Sequence, residues 1–536
     1  MSLCGDFQAT ASRHPDAPAL RRAGGGGERT WRQYANDVER LAGGLAGCGV
    51  RAGDTVALML RNRPEFNLLD AAAMHLGAAP WSIYNTASPE QITDVVGRAQ
   101  SNVLITEHDF IERASAGVAG LGVEYLLDVE TIDEVLPPAP AGFDFDTVWR
   151  SVSDADLLTI IWTSGTTGRS KGVELTHGGM RALLSALTDV SGVARSGGRC
   201  MSYLPTAHSA DRLVGLYWPM MLGAETTCVA DGAQVLAALP EVRPTIWGSV
   251  PRVWEKLRTA LMARGILDPA TMSDQARALV LADLGLDAAA WVYCGAAPIP
   301  AQTLDFFLAL GLPLCEVWGM SETGGLLTVN PIGGQRVGTV GPPMRDVELR
   351  IADDGEVFAR GPNVMRGYRN DPERTAEAID RDGWLHTGDI GRLDDQGYLT
   401  IVDRKKEIII NTAGKNMSPV AIENALKSAG PLIGQACVIG DARPYISALL
   451  VLDPEARLPA DEAALNAAVD AEVRAANARL SHVEQVRRWT LLRDEWLPDG
   501  DELTPTMKLK RKPIAAKYAS QIQALYEPHT ERLGSA

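Results

Sequence analysis

The chain has 536 residues, 46% of them hydrophobic and 22% charged, with a formal net charge of −16. This is ordinary globular composition, and the length exceeds what one hydrophobic core supports, so two or more domains are expected. The negative charge excludes a non-specific nucleic-acid binder, and no apolar run reaches the roughly 18–20 residues that a membrane span needs.

The opening stretch, "MSLCGDFQATASRHPDAP", lacks a basic-then-apolar signal layout, which predicts a cytoplasmic protein. "PALRR", "AGGGGE" and "TWRQYANDVERLAGGLAGCG" read as a hairpin feeding a helix. Thr30 and Gln33 have capping-box spacing, Tyr34, Val38, Leu41 and Leu45 share one helical face, and Gly49 stops the helix. "TVALML" then reads as a buried strand and "PEFNLLDAAAMHLGAA" as the next helix. Such alternation predicts an α/β protein with mainly parallel sheets covered by helices on both faces. After about residue 340 the texture changes. "VELRIADDGEVFARG" and "DIGRLDDQGYLTIVD" are short strands joined by Asp-Gly and Gln-Gly turns, as in a small antiparallel barrel over about 338–403. From Arg404 a new α+β unit begins: "KEIIIN", a helix opened by Ser418 and Pro419, strands "QACVIG" and "ISALLVLD", a helix over 461–480, then the basic stretch "TPTMKLKRK". The expected domains are therefore 1–403 and 404–536. Cysteines 4, 48, 200, 228, 294, 315 and 437 are scattered without a close pair, which argues against a disulfide framework or a zinc site.

The segment "LLTIIWTSGTTGRSKGVELTH" (157–177) combines a buried strand with a loop free of side-chain bulk at Gly165, Gly168 and Gly172. Glycines let backbone N–H groups approach an anion, hydroxyls add donors, and Lys171 adds positive charge. The spacing G-x-x-G-x-x-K-G is not the G-x-x-x-x-G-K-[ST] of a Walker A loop.

This loop resembles the phosphate loop of the adenylate-forming superfamily, which includes acyl-CoA synthetases, luciferases and peptide-synthetase adenylation domains. Further matches follow in the family's order: "LPTAHSADR", "GSVPRVWEK", "CGAAPIP", "VWGMSETGG", "WLHTGDIG", "VDRKKEIII" and "TPTMKLKRK". The resemblance implies a large N-terminal domain of αβαβα-type sheets with a small β-barrel subdomain, and a mobile C-terminal lid that hinges near 403–406. It also implies ATP and Mg²⁺, with a carboxylic acid activated as acyl-AMP and passed to a thiol. The protein's part in such chemistry is to neutralise two anions and hold them in line.

Residue by residue, the resemblance gives Thr163, Ser164, Gly165, Thr166, Thr167, Gly168 and Lys171 to the β- and γ-phosphates, with Thr167 near the metal. Glu322 matches the magnesium ligand, and Ser321 stands where Thr is more common. Trp318 matches the aromatic position against adenine, continued by Gly319 and Met320, while Gly295, Ala296, Ala297 and Pro298 match the strip along adenine's other side. Asp389 matches the ribose acceptor, and Arg404 the arginine behind ribose and phosphate. Lys508 matches the lysine that bridges carboxylate and α-phosphate. Lys510, Arg511 and Lys512 are expected to be solvent charges or to meet a phosphate of CoA.

His208 resembles the acyl-site histidine, and Asp211–Arg212 the "H-x-x-E-R" ending of long-chain acyl-CoA synthetases. The post-hinge segment and the "TPTMK" ending also resemble that branch. The expected reaction is activation of a medium- or long-chain fatty acid and its transfer to coenzyme A. The alternatives are a carrier-protein phosphopantetheine as acceptor, or an aryl or cyclic acid as substrate. An inert nucleotide-binding regulator would have lost Lys508, Glu322 or Asp389, and all three are present. Peripheral membrane contact is compatible with a fatty substrate, and the sequence carries no reading of oligomeric state.

Overall fold

The computed structural model describes residues 2–163, 170–194, 197–412, 415–497, 500–504 and 507–527. The architecture is mixed α/β, as the alternation predicts. Thr30 and Gln33 form the expected capping box: the Thr30 hydroxyl accepts from the Gln33 N–H at 3.3 Å, and the Gln33 side-chain oxygen accepts from the Thr30 N–H at 2.9 Å. The helix that follows, Trp31–Gly47, buries Tyr34, Val38, Leu41 and Leu45 on one face. It ends just before Gly49, whose positive φ a side chain would resist.

A seven-stranded sheet holds, in spatial order, Gly367–Tyr368, Lys171–Thr176, Leu157–Thr163, Ala79–Ser82, Thr55–Met59, Val103–Thr106 and Tyr125–Asp128. The last five run parallel, as strands joined by helical crossovers do. Lys171–Thr176 instead runs antiparallel to Leu157–Thr163, with Thr163 opposite Lys171, so the two ends of the glycine-rich segment lie side by side. A second sheet places Ile246–Ser249, Trp291–Cys294 and Leu314–Trp318 in parallel order, closed by the antiparallel Thr328–Val329. Trp247, Trp254 and Phe307 pack edge to face behind it, with ring centroids 4.8 and 5.0 Å apart. The Glu348–Ile351, Glu356–Arg360, Leu385–Leu393 and Leu399–Arg404 strands form a four-stranded sheet.

The chain divides into two compact units. The first comprises residues 1–350, 358–387 and 393–400, and the second 351–357, 388–392 and 401–536. In the second unit, Ser418 caps the helix Pro419–Lys427. Ile433–Ile439 pairs antiparallel with Ile446–Leu452, which pairs parallel with Val486–Leu492. One face of that sheet packs on the helix Glu462–Asn477 through Leu465, Val469 and Val473. Cys437, Leu449 and Val451 pack instead with Trp496, Ile514 and Tyr518. All seven cysteines are buried and unpaired. Among the described residues, no helix is long and apolar enough to cross a membrane.

Candidate active site

Ser164, Gly165, Thr166, Thr167 and Gly168 lie outside the described residues. Their flanks do not: the Thr163 hydroxyl donates to the Lys171 carbonyl at 3.5 Å, and the Arg98 guanidinium donates to the Ser170 carbonyl at 2.6 Å.

Trp318 ends the strand Leu314–Trp318 half-buried, and its carbonyl accepts from the Leu327 N–H at 2.8 Å. Gly319 follows because nothing larger fits. A Cβ there would lie 2.4 Å from the Gly325 carbonyl oxygen and 2.5 Å from the Leu326 Cα, both backbone atoms that cannot swing away. Met320, Ser321 and Glu322 then make one tight turn, closed by the Thr323 hydroxyl on the Met320 carbonyl at 3.0 Å. Three further contacts fix Glu322. Its carbonyl accepts from the Met365 N–H at 2.7 Å, the neighbouring Thr323 carbonyl accepts from the Asn363 amide at 3.0 Å, and its Oε1 accepts from the Tyr368 hydroxyl at 2.8 Å. Lys171 Nζ lies 3.4 Å from the same hydroxyl and 4.5 Å from the ring centroid. The first unit therefore brings Lys171 and Glu322 onto one tyrosine. Motif matching passed over Tyr368, in "MRGYRN", and only its pairing beside Lys171–Thr176 makes it visible.

Gly295 sits against Val317, whose Cγ2 would lie 2.8 Å from an added Cβ. Ala296 takes a left-handed φ of 69°, and Ala296, Ala297 and Pro298 are exposed. Glu316, one strand over from Cys294, is buried, and its carboxylate accepts backbone hydrogen bonds from Ile299 and Gly338. Burial raises its pKa to about 8, against the opposing pull of those two N–H groups.

His208 is half-buried and caps the short helix Ser209–Asp211, its Nδ1 accepting from the Ala210 N–H at 3.1 Å. The proton of the neutral ring therefore sits on Nε2. Ser209 and Leu213 lie against Gly325, placing the His208 segment beside the Glu322 turn. Asp211 and Arg212, which match the ending of the long-chain motif, are core groups. Asp211 accepts from the Tyr203 and Leu204 N–H groups at 3.1 Å each and from the Ser202 hydroxyl at 2.8 Å, and burial raises its pKa to about 7. Arg212 is fully buried on Asp70 at 2.6 Å and donates further to the Tyr217 and Ser82 hydroxyls. Tyr217, Trp218, Trp247 and Trp254 are likewise buried, divided between two separate hydrophobic cores.

In the second unit Asp389 and Arg404 meet: Arg404 Nε lies 2.7 Å from a carboxylate oxygen of Asp389, which is only 4% exposed. Lys405 is held by Asp354 and Glu356 at 2.6 and 2.7 Å. Lys508 is exposed on a turn in which the Thr504 N–H donates to its carbonyl at 2.8 Å and its own N–H donates to the Thr504 hydroxyl at 3.0 Å. Arg511 corrects the expectation of a solvent charge. It is half-buried and paired with Glu423 at 2.7 Å and Glu407 at 3.2 Å. Lys510 reaches back to the Gly500 carbonyl at 2.9 Å.

Residues 7–369 match the AMP-binding enzyme family, and residues 406–530 match the AMP-binding enzyme C-terminal domain. The chain belongs to the AMP-binding enzyme family. This AMP-binding enzyme is 46% identical over 434 residues to fadD11 of Mycobacterium tuberculosis, which bears a fatty-acid–CoA ligase name, covering 72% of the chain and 76% of that protein. It is 35% identical over 558 residues to the long-chain-fatty-acid–CoA ligase FadD15 of Mycobacterium bovis, covering 93% and 92%. Its fold is that of the anthranilate CoA ligase AuaEII (TM-score 0.78, 20% identity, 98% of each chain). The same fold is seen in the O-succinylbenzoate coenzyme A synthetase MenE of Bacillus subtilis (TM-score 0.73, 22% identity, 95% and 97%).

Proposed function

We propose that this AMP-binding enzyme activates a medium- or long-chain fatty acid with ATP and transfers the acyl group from AMP to coenzyme A. The observation that carries the acid class is the 46% identity to one fatty-acid–CoA ligase homologue, with 35% identity to a second over nearly the whole chain. The aryl-acid ligases share the fold at only 20–22% identity and say nothing of the substrate.

The residues fit a nucleotide and its cation. Magnesium takes hard oxygen ligands and is usually held by one or two carboxylates together with substrate phosphates. Glu322, buried and held on Oε1 alone, supplies such an oxygen, and Lys171 supplies a cation for phosphate. Mg²⁺, when bound, neutralises phosphate charge. Thr163 and Lys171 would flank the phosphates, Trp318 through Ser321 and Gly295 through Pro298 would line adenine, and Asp389 would accept the ribose hydroxyls with Arg404 behind it. Lys508 would stabilise the charge shared by carboxylate and α-phosphate, and His208 would face the acyl site.

Lys508 must be present for adenylation and absent when the thiol attacks, which motivates a C-terminal domain over 404–536 that pivots near 403–406 against a domain over 1–403. Lys406→Pro should then spare adenylate formation and slow thioester formation; equal rates for both half-reactions in the variant and the parent would move the pivot elsewhere. A cytoplasmic location belongs to the same reading and is supported by seven unpaired cysteines. Cell fractionation that recovers the chain outside the cytosol would overturn it.

The deciding experiment is pyrophosphate release across straight-chain acids from acetate to palmitate, plus aryl and cyclic acids, with and without CoA. Turnover that peaks at medium or long chains and requires CoA supports the proposal. A peak on aryl acids overturns the acid class. A single stoichiometric burst indifferent to CoA makes a carrier-protein phosphopantetheine the acceptor.

A further inference from the structure

Lys171 and Glu322, the two charged groups of the first unit that the proposed function gives to phosphate and metal, share one neutral neighbour. The Tyr368 hydroxyl donates to Glu322 Oε1 at 2.8 Å, and Lys171 Nζ stands 3.4 Å from that hydroxyl's oxygen. Among the described residues neither Lys171 nor Glu322 forms an ion pair, and Glu322 Oε2 has no hydrogen-bond partner.

The tyrosine is fixed independently of both. It lies on the strand Gly367–Tyr368, antiparallel to Lys171–Thr176, with Tyr368 opposite Val173. Its own N–H donates to the Thr375 hydroxyl at 2.9 Å, and the next N–H, of Arg369, donates to the Gly172 carbonyl at 2.7 Å. Three residues earlier, the Met365 N–H holds the Glu322 carbonyl at 2.7 Å. One short segment thus grips Glu322 at its backbone and at its carboxylate. A phenol has one O–H, which goes to the carboxylate and leaves the oxygen lone pairs to the ammonium.

A lysine and a glutamate this close would ordinarily pair. The pair would have to be broken each time a nucleotide arrived, at the cost of stripping two partly buried charges of each other. A neutral hydroxyl between them removes that competition. We propose that Tyr368 is a positioning residue for the magnesium nucleotide: it turns the Glu322 carboxylate so that Oε2 faces the cation, and it keeps Lys171 from pairing with that carboxylate before phosphate does. This rests on the reading of Glu322 as the metal ligand.

The test is Tyr368→Phe in the full-length chain, beside Glu322→Gln. Mn²⁺ binding in the presence of ATP, followed by the loss of its free electron-paramagnetic-resonance signal, reads the cation without turnover. Titration calorimetry of ATP with and without Mg²⁺ reads the nucleotide. Groups that orient metal ligands are worth about 10- to 100-fold in metal affinity, so Tyr368→Phe should weaken nucleotide-dependent Mn²⁺ binding roughly tenfold. The KM for the acid should stay within about twofold, because the change touches no acyl contact, while metal-free ATP binding should weaken a few-fold as Lys171 becomes free to pair with Glu322. If Glu322→Gln weakens Mn²⁺ binding and Tyr368→Phe does not, the positioning role is wrong and the metal ligand stands. If neither does, the assignment of Glu322 itself falls. A Tyr368→Phe chain that loses acid binding along with Mn²⁺ and ATP makes the tyrosine merely structural and also overturns the proposal.

Discussion

In the first unit Glu322 sits on a turn that backbone and side-chain groups from residues 323, 363, 365 and 368 all hold, next to a glycine that admits no side chain. In the second unit Lys508 is exposed, on a turn closed by two hydrogen bonds to Thr504, with Met507 in the left-handed region at φ 63°. A group that receives a cation works best already in place, because any reorganisation is subtracted from binding. On the proposed mechanism Lys508 arrives for one half-reaction and leaves for the other, and such a group is better tied locally, on a unit with its own core. The second unit has that core, and Arg511, three residues beyond Lys508, locks into it against Glu423 and Glu407.

The contrast breaks most sharply at Lys508→Ala. Adenylate formation should fall about a thousandfold, or ~4 kcal/mol of transition-state stabilisation, while thioester formation from supplied acyl-AMP stays near the parent rate. Single-turnover assays of each half-reaction check this, and equal loss in both would refute the bridging role. Arg511→Met should cost about 3–5 kcal/mol of stability in urea unfolding, because it leaves Glu423 buried and unpaired. Lys512→Ala, one residue on and exposed, should change stability by less than about 0.5 kcal/mol. Gly319→Ala sharpens the other side: forcing a Cβ against backbone should cost about 1–3 kcal/mol and weaken ATP binding by displacing Glu322, both measurable by thermal melts with and without Mg·ATP. The remaining effect is on pH. Burial holds the Glu316 pKa at about 8 in the folded chain, above its ordinary value of 4.5, so the folded state binds more protons across that window and this group's contribution falls as pH rises. Glu316→Gln should flatten the decline of Tm between pH 5 and 8, and parallel melting curves for both proteins would contradict that.

Local rules carried far along the chain. The Thr30–Gln33 box, the buried face of the helix Trp31–Gly47, the strand Leu157–Thr163 and the Ser418 cap all follow from spacing within one or two turns. The family resemblance gave Asp389 and Arg404 separate places at ribose and phosphate, and the fold pairs them with each other. What spacing could not reveal is which charges find long-range partners. Arg511 reads as one more cation in "KLKRK", yet its partners lie 88 and 104 residues away. Asp211 and Arg212 read as the ending of a family motif, yet their partners Asn62 and Asp70 are placed by another part of the chain, 149 and 142 residues distant. Tyr368 belongs to no phosphate motif, and its role emerges only once a two-residue strand pairs beside Lys171.

The burial of every cysteine has a consequence for a protein whose proposed acceptor is itself a free thiol. Thiol–disulfide exchange needs an accessible thiolate. Burial pushes the thiols of Cys4, Cys200, Cys315 and Cys437 up to about 12, and those of Cys48, Cys228 and Cys294 also above their ordinary value. Oxidised coenzyme A therefore finds no nucleophilic sulfur on the folded chain, and the enzyme can handle a pool of thiol and disulfide without becoming covalently linked to it.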